Sequence, residues 1–128
     1  MAVRVVAIGV SPWHSLYDSA YLRHLTAMPG FELVGVHDSD AEIAAGRAAG
    51  LGRPPVFTDY RLMLADTRPD FVIALGRHSE MAGVAHHLLD QGYPFMMEKP
   101  MGITAAEVQA VADGAIAIRS VREYLGAE

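Results

Sequence analysis

The sequence predicts a single α/β domain, residues 1–128, in which a doubly wound parallel sheet carries helices on both faces. Three observations predict this fold class. Apolar runs of strand length alternate along the chain with segments of helical periodicity. Each intervening segment has the length of a right-handed crossover between parallel strands. The hydrophobic content of 52% and the charged content of 20% are typical of a globular protein.

The first strand is predicted at Val3–Gly9, which is almost continuously apolar and therefore suits a strand covered on both faces. A helix is expected to begin at Ser15, because this serine precedes an acidic residue by three positions. The Pro29-Gly30 pair ends that helix, and the second strand follows at Glu32–Asp38.

The second helix is predicted to begin with a capping box at Ser39 and Glu42 and to end near Gly50. The tail after Gly114 is compatible with a continuing helix or with a short strand at Ala115–Ile118, and we favour the helix. Between the second helix and this tail, the sequence first predicts a strand at Val56-Phe57, a helix around Asp59–Ala65 and a strand within Asp70–Gly76. It then predicts a helix at Ser79–Gln91 that ends at Gly92, a strand leading to Glu98 and a helix capped by Thr104.

Charge and composition argue against several classes of function. The net charge of −5 disfavours nucleic acid or an anionic membrane as the main partner. No cysteine is available for a disulfide or a thiolate metal site, and no two histidines have the i, i+4 spacing of a helical metal site, so no metal is expected. The sequence shows neither a signal-peptide layout nor a membrane-spanning stretch, which predicts a cytoplasmic location.

The tripeptide Glu98-Lys99-Pro100 is the most informative local feature, because it places two charges at the end of a predicted buried strand. In an open α/β sheet, side chains at the carboxyl ends of strands face the crevice where ligands bind. A lysine there can orient a hydroxyl or carbonyl group, or transfer a proton. The alternative is a surface salt bridge at a strand end.

The turn after the first strand offers weaker evidence for a nucleotide site. Dinucleotide-binding folds place glycines here so that the backbone can approach the pyrophosphate. Only Gly9 matches, while Ser11 and His14 occupy the second and third glycine positions. A serine hydroxyl could donate to a phosphate, a charged histidine could pair with it, and Trp13 could cover an adenine or pack as an ordinary core residue. An ordinary loop is the alternative for the whole turn.

Asp38 strengthens the nucleotide interpretation, because it ends the second strand, 29 residues after Gly9. A carboxylate at this place can accept hydrogen bonds from the hydroxyls of an adenosine ribose. The next residue, Ser39, supplies no cation for a 2′-phosphate, which favours NAD over NADP. The alternative is an aspartate that caps a turn or a helix.

Taken in order, these features resemble the Gfo/Idh/MocA family of oxidoreductases over about residues 3–113. The most specific match is the segment from Asp90 to Gly102, and Leu33–Asp40 agrees with the second strand and its ribose-binding acid. The resemblance implies a Rossmann-like, NAD-binding domain of an enzyme that transfers hydride between nicotinamide and a sugar, a polyol or a related substrate. It also implies that Lys99 is catalytic and contacts the reacting hydroxyl, and that the Lys99–Pro100 peptide is cis.

The remaining cofactor-binding positions implied by the resemblance are Gly76, Arg77, His78, Glu98 and Pro100. Arg77 could hold a phosphate or a substrate carboxylate, and His78 could border the nicotinamide; the alternative for both is an ordinary loop side chain. The sequence departs from the family in its depleted glycine turn and at Met81, which stands where the family has a histidine.

Family members carry a second domain that supplies much of the substrate site, and this chain ends before such a domain. The chain is therefore expected to bind a nicotinamide dinucleotide, to lack turnover by itself and to expose an apolar face that favours self-association. A non-catalytic module for nucleotide sensing or protein interaction is the alternative, favoured by the depleted first turn. A flavodoxin-like signalling domain is disfavoured, because no aspartate ends the third strand.

Overall fold

The computed structural model describes residues 2–11 and 19–124 of the chain. The strands are β1 (Val3–Ile8), β2 (Phe31–His37), β3 (Val56–Phe57), β4 (Phe71–Ala74) and β5 (Phe95–Met97). The helices are α1 (Ser19–Ala27), α2 (Ala41–Ala49), α3 (Tyr60–Thr67), α4 (His78–Gln91) and α5 (Ala105–Tyr124). None of the helices within these residues is long and apolar enough to cross a membrane.

The described strands form one parallel sheet with the order β3-β2-β1-β4-β5. The chain therefore winds outwards from β1 in one direction through β2 and β3, and in the other direction through β4 and β5. This is the doubly wound arrangement predicted from the alternating pattern, and that prediction is confirmed. The short β3 is also present at the predicted residues.

Alternate residues of β1 build the two halves of the core. Val5 and Ala7 belong to a buried cluster that includes residues of α1 and the α2 region, such as Leu22 and Ala48. Val6 and Ile8 belong to a second buried cluster with residues of α3 and α4. Side chains of a strand alternate between the faces of a sheet, so an apolar run without alternation indicates a strand covered on both sides.

Aspartates at the starts of α2 and α3 cap the helices. Asp59 accepts hydrogen bonds from the N–H groups of Arg61 and Leu62, as its position at the start of the predicted helix suggests. The prediction of Ser39 as the cap of α2 is wrong. Asp40 is the N-cap, and its carboxylate accepts from the backbone N–H groups two and three positions later.

The C-terminal part follows the predictions more closely. Gly92 ends α4 with a φ of 76°, in the left-handed region that glycine favours. Thr104 and Glu107 form the predicted capping box, since the Thr104 hydroxyl accepts from the Glu107 N–H and the Glu107 carboxylate accepts from the Thr104 N–H. α5 continues as a helix to Tyr124, so the favoured alternative for the tail is confirmed. Met96 of β5 is 44% exposed.

Candidate functional site

The candidate site lies where the sheet reverses its winding direction, between the carboxyl ends of β1 and β4. Ligands of open α/β sheets bind at such a switch point. The Leu75 N–H donates to the Ile8 carbonyl at 2.8 Å, so β1 and β4 stay paired up to the residues before Gly9 and Gly76. Gly9 has a φ of 72°, and a Cβ there would lie 2.3 Å from the Gly76 Cα. Both conformation and contact therefore require glycine at position 9.

The turn that follows β1 is held by the end of β2. The N–H groups of Gly9 and Val10 donate to the His37 carbonyl at 2.9 and 3.1 Å. The Ser11 N–H donates to the Asp38 carboxylate at 3.0 Å. Because these three N–H groups have acceptors within the protein, Ser11 would reach a phosphate through its hydroxyl rather than through its backbone.

Asp38 is 3% exposed and joins two turns at the end of β2. One carboxylate oxygen accepts from the Ser11 N–H, and the other accepts from the Asp40 N–H at 2.9 Å. The turn-capping alternative considered for Asp38 is therefore present in the structure. Each carboxylate oxygen can accept more than one hydrogen bond, so this role leaves room for ribose hydroxyls as further donors.

Arg47 of α2 is a site residue that the sequence analysis missed. Its Nε donates to the Val10 carbonyl at 3.0 Å, and its guanidinium also reaches the Ser11 carbonyl at 3.4 Å. Arg47 therefore fixes the carbonyl side of the same turn whose N–H groups bind β2. One arginine in an alanine-rich helix gives no local signal for such a contact, because the partner carbonyls lie more than 30 residues away.

His37, the last residue of β2, was also missed. It is 6% exposed, and its Nδ1 accepts a hydrogen bond from the Gly9 N–H at 3.2 Å. Its ring meets the Tyr60 ring edge to face, with centroids 5.7 Å apart. Burial lowers the pKa of His37 below its ordinary value, although nearby carboxylates act in the opposite direction. A histidine directly before the strand-ending aspartate is the sequence signal that could have drawn attention to it.

The residues after β4 are more open to solvent. Arg77 occupies the N-cap position of α4 without a side-chain capping bond, and both Arg77 and His78 are exposed. Gly76 is buried beneath them, and a Cβ there would contact the Glu80 carboxylate at 3.7 Å. Arg77 and His78 thus follow β4 at the same edge of the sheet as Gly9.

The Glu98-Lys99-Pro100 segment follows β5 at this edge. The Glu98 N–H donates to the Ala74 carbonyl at 3.0 Å, which extends the pairing of β5 with β4 to the residue before Lys99. Lys99 is exposed, its N–H donates to the Glu98 carboxylate at 3.1 Å, and the Lys99–Pro100 peptide is cis, as expected. The Glu107 carboxylate accepts from the Ile103 N–H at 2.7 Å and so ties the chain after Pro100 to α5.

The structure therefore brings most of the predicted site residues to one edge of the sheet. Gly9, Ser11 and Asp38 meet at the end of β1 and β2, while Gly76 and Lys99 follow the neighbouring strands β4 and β5. Trp13 and His14 lie outside the described residues.

A parallel sheet of this order, with a glycine contact at its switch point and an acid at the end of its second strand, defines a dinucleotide-binding domain. The sequence model of the GFO_IDH_MocA family, described as an oxidoreductase family with an NAD-binding Rossmann fold, matches residues 3–119. The chain therefore belongs to the Gfo/Idh/MocA oxidoreductases, which confirms the resemblance. Its fold is the NAD-binding Rossmann fold of that family, so NAD is its cofactor.

Known relatives are considerably longer. The chain is 28% identical over 121 residues to Glycosyl hydrolase family 109 protein 1 of Akkermansia muciniphila, a match covering 87% of this chain and 24% of that protein. Its fold is similar to that of myo-inositol dehydrogenase from Lactobacillus casei in complex with NAD(H) and myo-inositol, with a TM-score of 0.78 and 24% identity, covering 91% and 34% of the two chains. It is also similar to the fold of WlbA dehydrogenase from Chromobacterium violaceum in complex with NADH and UDP-GlcNAcA, with a TM-score of 0.77 and 19% identity. This match covers 92% of this chain and 33% of that chain. The chain spans about a quarter to a third of the length of these relatives.

Proposed function

We propose that this domain is the cofactor-binding part of an NAD-dependent oxidoreductase that acts on a sugar, a polyol or a related substrate, with Lys99 as its catalytic residue. One observation carries the proposal: Lys99 follows β5 at the same sheet edge where Gly9 meets Gly76. Myo-inositol and UDP-GlcNAcA, named with the two similar structures, support a polyhydroxylated substrate class.

The residues at the edge fit a dinucleotide. A Cβ at Gly9 would lie 2.3 Å from the Gly76 Cα, so glycine at position 9 lets the chain segments after β1 and β4 lie against each other at the switch point. Asp38 would accept from the ribose hydroxyls, and Ser11 and Arg77 would face the phosphates. His78, Glu98 and Pro100 would border the nicotinamide end, beside Lys99.

NAD supplies a hydride acceptor when it is bound, and the protein must manage the charge on the substrate oxygen. The Lys99 ammonium would donate a hydrogen bond to the reacting hydroxyl and stabilise the negative charge that develops on it. The exposed Met96 and Ile103 on either side of Lys99 support a substrate site completed by residues outside this domain. We therefore propose that the 128-residue chain has no turnover of its own, because substrate positioning is incomplete.

Calorimetric titration with NADH and NADPH tests the cofactor assignment. Asp38 repels a 2′-phosphate and Ser39 supplies no cation, so NADH should bind more tightly than NADPH. Ser39→Arg adds a cation beside Asp38 and should narrow the difference between the two cofactors. Equal affinities in the unmodified chain, or tighter binding of NADPH, would contradict the proposal. Absence of binding to both would favour a module that has lost its cofactor.

A second candidate function rests on the relative named as a glycosyl hydrolase. Some glycosidases depend on NAD rather than on a pair of carboxylates. The same site would then serve cleavage of a glycosidic bond, with no net change in the oxidation state of the cofactor. A protein containing this domain would release sugar from a glycoside without accumulating NADH, whereas a dehydrogenase would accumulate NADH in proportion to product.

A further inference from the structure

His37 is the one residue that binds the first turn through both its backbone and its side chain among the residues that the structure describes. Its carbonyl accepts from the N–H groups of Gly9 and Val10, and its Nδ1 accepts from the same Gly9 N–H. The Gly9 N–H is therefore shared between two acceptors on His37. Neither acceptor belongs to the residues that the family resemblance assigned to the cofactor.

The contact from Gly9 favours one protonation state of the ring. A nitrogen that accepts a hydrogen bond carries no proton, so this contact fits a neutral His37 with its proton on Nε2. If Nδ1 gained a proton, two donors would face each other at 3.2 Å. Gly9 could not relieve this by moving towards β4, because the Gly76 backbone already lies in contact there.

The groups around His37 act on its protonation in opposite directions. Burial disfavours the charged ring and lowers its pKa. The carboxylates of Asp38 on its own strand, Glu80 on α4 and Asp59 before α3 favour the charged ring, as does a hydrogen bond with the Thr58 backbone. Of these influences burial is the largest, and the balance leaves the pKa below its ordinary value of 6.5.

The other titratable groups near His37 are Tyr60, which contacts its ring, and residues on the far side of Tyr60. Tyr60 of α3 packs edge to face against His37, and its other side meets the His87 ring of α4, with centroids 5.6 Å apart. Arg61 lies over the Tyr60 ring and, together with burial, lowers the pKa of His87. The first turn meets the His37 ring through the Gly9 N–H, and Gly9, Val10 and Ser11 carry no ionisable side chain.

We propose that neutral His37 is a positioning residue for the cofactor turn, and that its protonation removes one of the two acceptors of the Gly9 N–H and weakens the binding of NADH. This inference rests on the proposed function, because it takes NADH as the ligand of the turn. His37 acts through Gly9 and does not itself contact the cofactor.

The direction of the pH effect follows from the geometry. Above neutral pH, His37 accepts from Gly9 and the turn has the form described above. As the pH falls below 6.5, protons bind to the unfolded chain before they bind to the buried ring, so the folded state also loses stability over this range. Affinity for NADH should fall at lower pH still, where the buried ring of the folded protein itself binds a proton. A phosphate-binding histidine, as suggested for His14, would give the opposite slope.

Two substitutions distinguish the loss of the hydrogen-bond acceptor at position 37 from the loss of a side chain that binds a proton. His37→Asn places a carbonyl oxygen near the position of Nδ1 and cannot titrate, while His37→Phe keeps a ring and removes the acceptor. NADH affinity of the 128-residue chain is measured by fluorescence titration between pH 5.5 and pH 8. The wild-type affinity should fall by about fivefold towards acid, the scale of one lost hydrogen bond. His37→Asn should show a flat profile and bind more tightly than His37→Phe at pH 8.

Nuclear magnetic resonance gives a measurement without NADH. The ¹⁵N shift of His37 Nδ1 should report an unprotonated nitrogen at pH 8, and the Gly9 amide proton should shift with the same midpoint as the ring. A Gly9 amide that ignores the ring titration would overturn the inference, as would equal pH slopes for NADH binding in wild type and His37→Asn. Wild-type chain that binds no NADH at pH 8 would instead remove the proposed function, and this inference with it.

Discussion

Asp38 combines two tasks that a substitution can separate from each other. Its carboxylate accepts from the N–H groups of Ser11 and Asp40, and in the proposed function it also accepts from the ribose. The two tasks are compatible because the backbone bonds hold the carboxylate in place before a ligand arrives. An orienting group that is already fixed costs less ordering when the ligand binds.

Asp38→Ala should therefore affect both folding and binding. We expect a loss of about 1–3 kcal/mol in the free energy of unfolding, because two partly buried N–H groups lose their acceptor. We expect a comparable weakening of NADH binding, measured by calorimetry under conditions where the variant remains folded.

Asp40→Ala is the matched control for Asp38. It removes the N-cap of α2, at a cost of about 1 kcal/mol in stability, and keeps the backbone N–H that donates to Asp38. Its NADH affinity should stay close to wild type. If Asp38→Ala loses stability but retains full affinity, then Asp38 serves the turns and not the ribose.

The positions of single residues could be predicted from the sequence where they follow from a strand end. Asp38 and Lys99 were found because each ends an apolar run, and parallel strands bring such ends to one edge. The contacts of His37 and Arg47 could not be predicted, because their partners, Gly9 and the Val10 carbonyl, are distant in sequence. Their hydrogen bonds depend on the register between β1 and β2, which hydrophobic patterning does not encode.

At the scale of elements, apolar runs located the strands and glycines located the helix ends. The choice between neighbouring capping residues was harder. Ser39 and Asp40 both qualify as N-caps by residue type, and Ser39 has the acidic partner of a capping box. Asp40 takes the position because its N–H is bound by the Asp38 carboxylate, which fixes where α2 begins.

Two glycines give opposite predictions for the same substitution. Gly9→Ala should lower the free energy of unfolding by about 2–5 kcal/mol, since it combines a positive φ with a Cβ 2.3 Å from the Gly76 backbone. Gly83 lies within α4, and a Cβ added there would have no atom within 4 Å, so Gly83→Ala should raise stability by about 0.5–1 kcal/mol. Urea unfolding measures the free energy of unfolding of both variants. A Gly9→Ala protein as stable as wild type would show that β1 and β4 can separate at this edge.

At the scale of the whole molecule, the doubly wound order turns distant sequence segments into one surface. Gly9, Asp38, Gly76 and Lys99 lie 23 to 38 residues apart in sequence, one after each of four strands. Each helical crossover returns the chain to the same end of the sheet. The site is therefore a property of the topology, and a substitution at one strand end can be tested for effects on binding and on chemistry separately.

Lys99 provides that test. Lys99→Met keeps the aliphatic stem and deletes the ammonium, so it separates charge from packing. In the 128-residue chain, NADH affinity should remain near wild type, because the proposed partner of Lys99 is the substrate oxygen and not the cofactor. In a longer protein that joins this domain to a substrate-binding domain, turnover should fall by about 10²–10⁴-fold, since the lost interaction stabilises charge present only in the transition state. Intact turnover, or unfolding of the domain, would instead identify Lys99 as a structural residue at the end of β5.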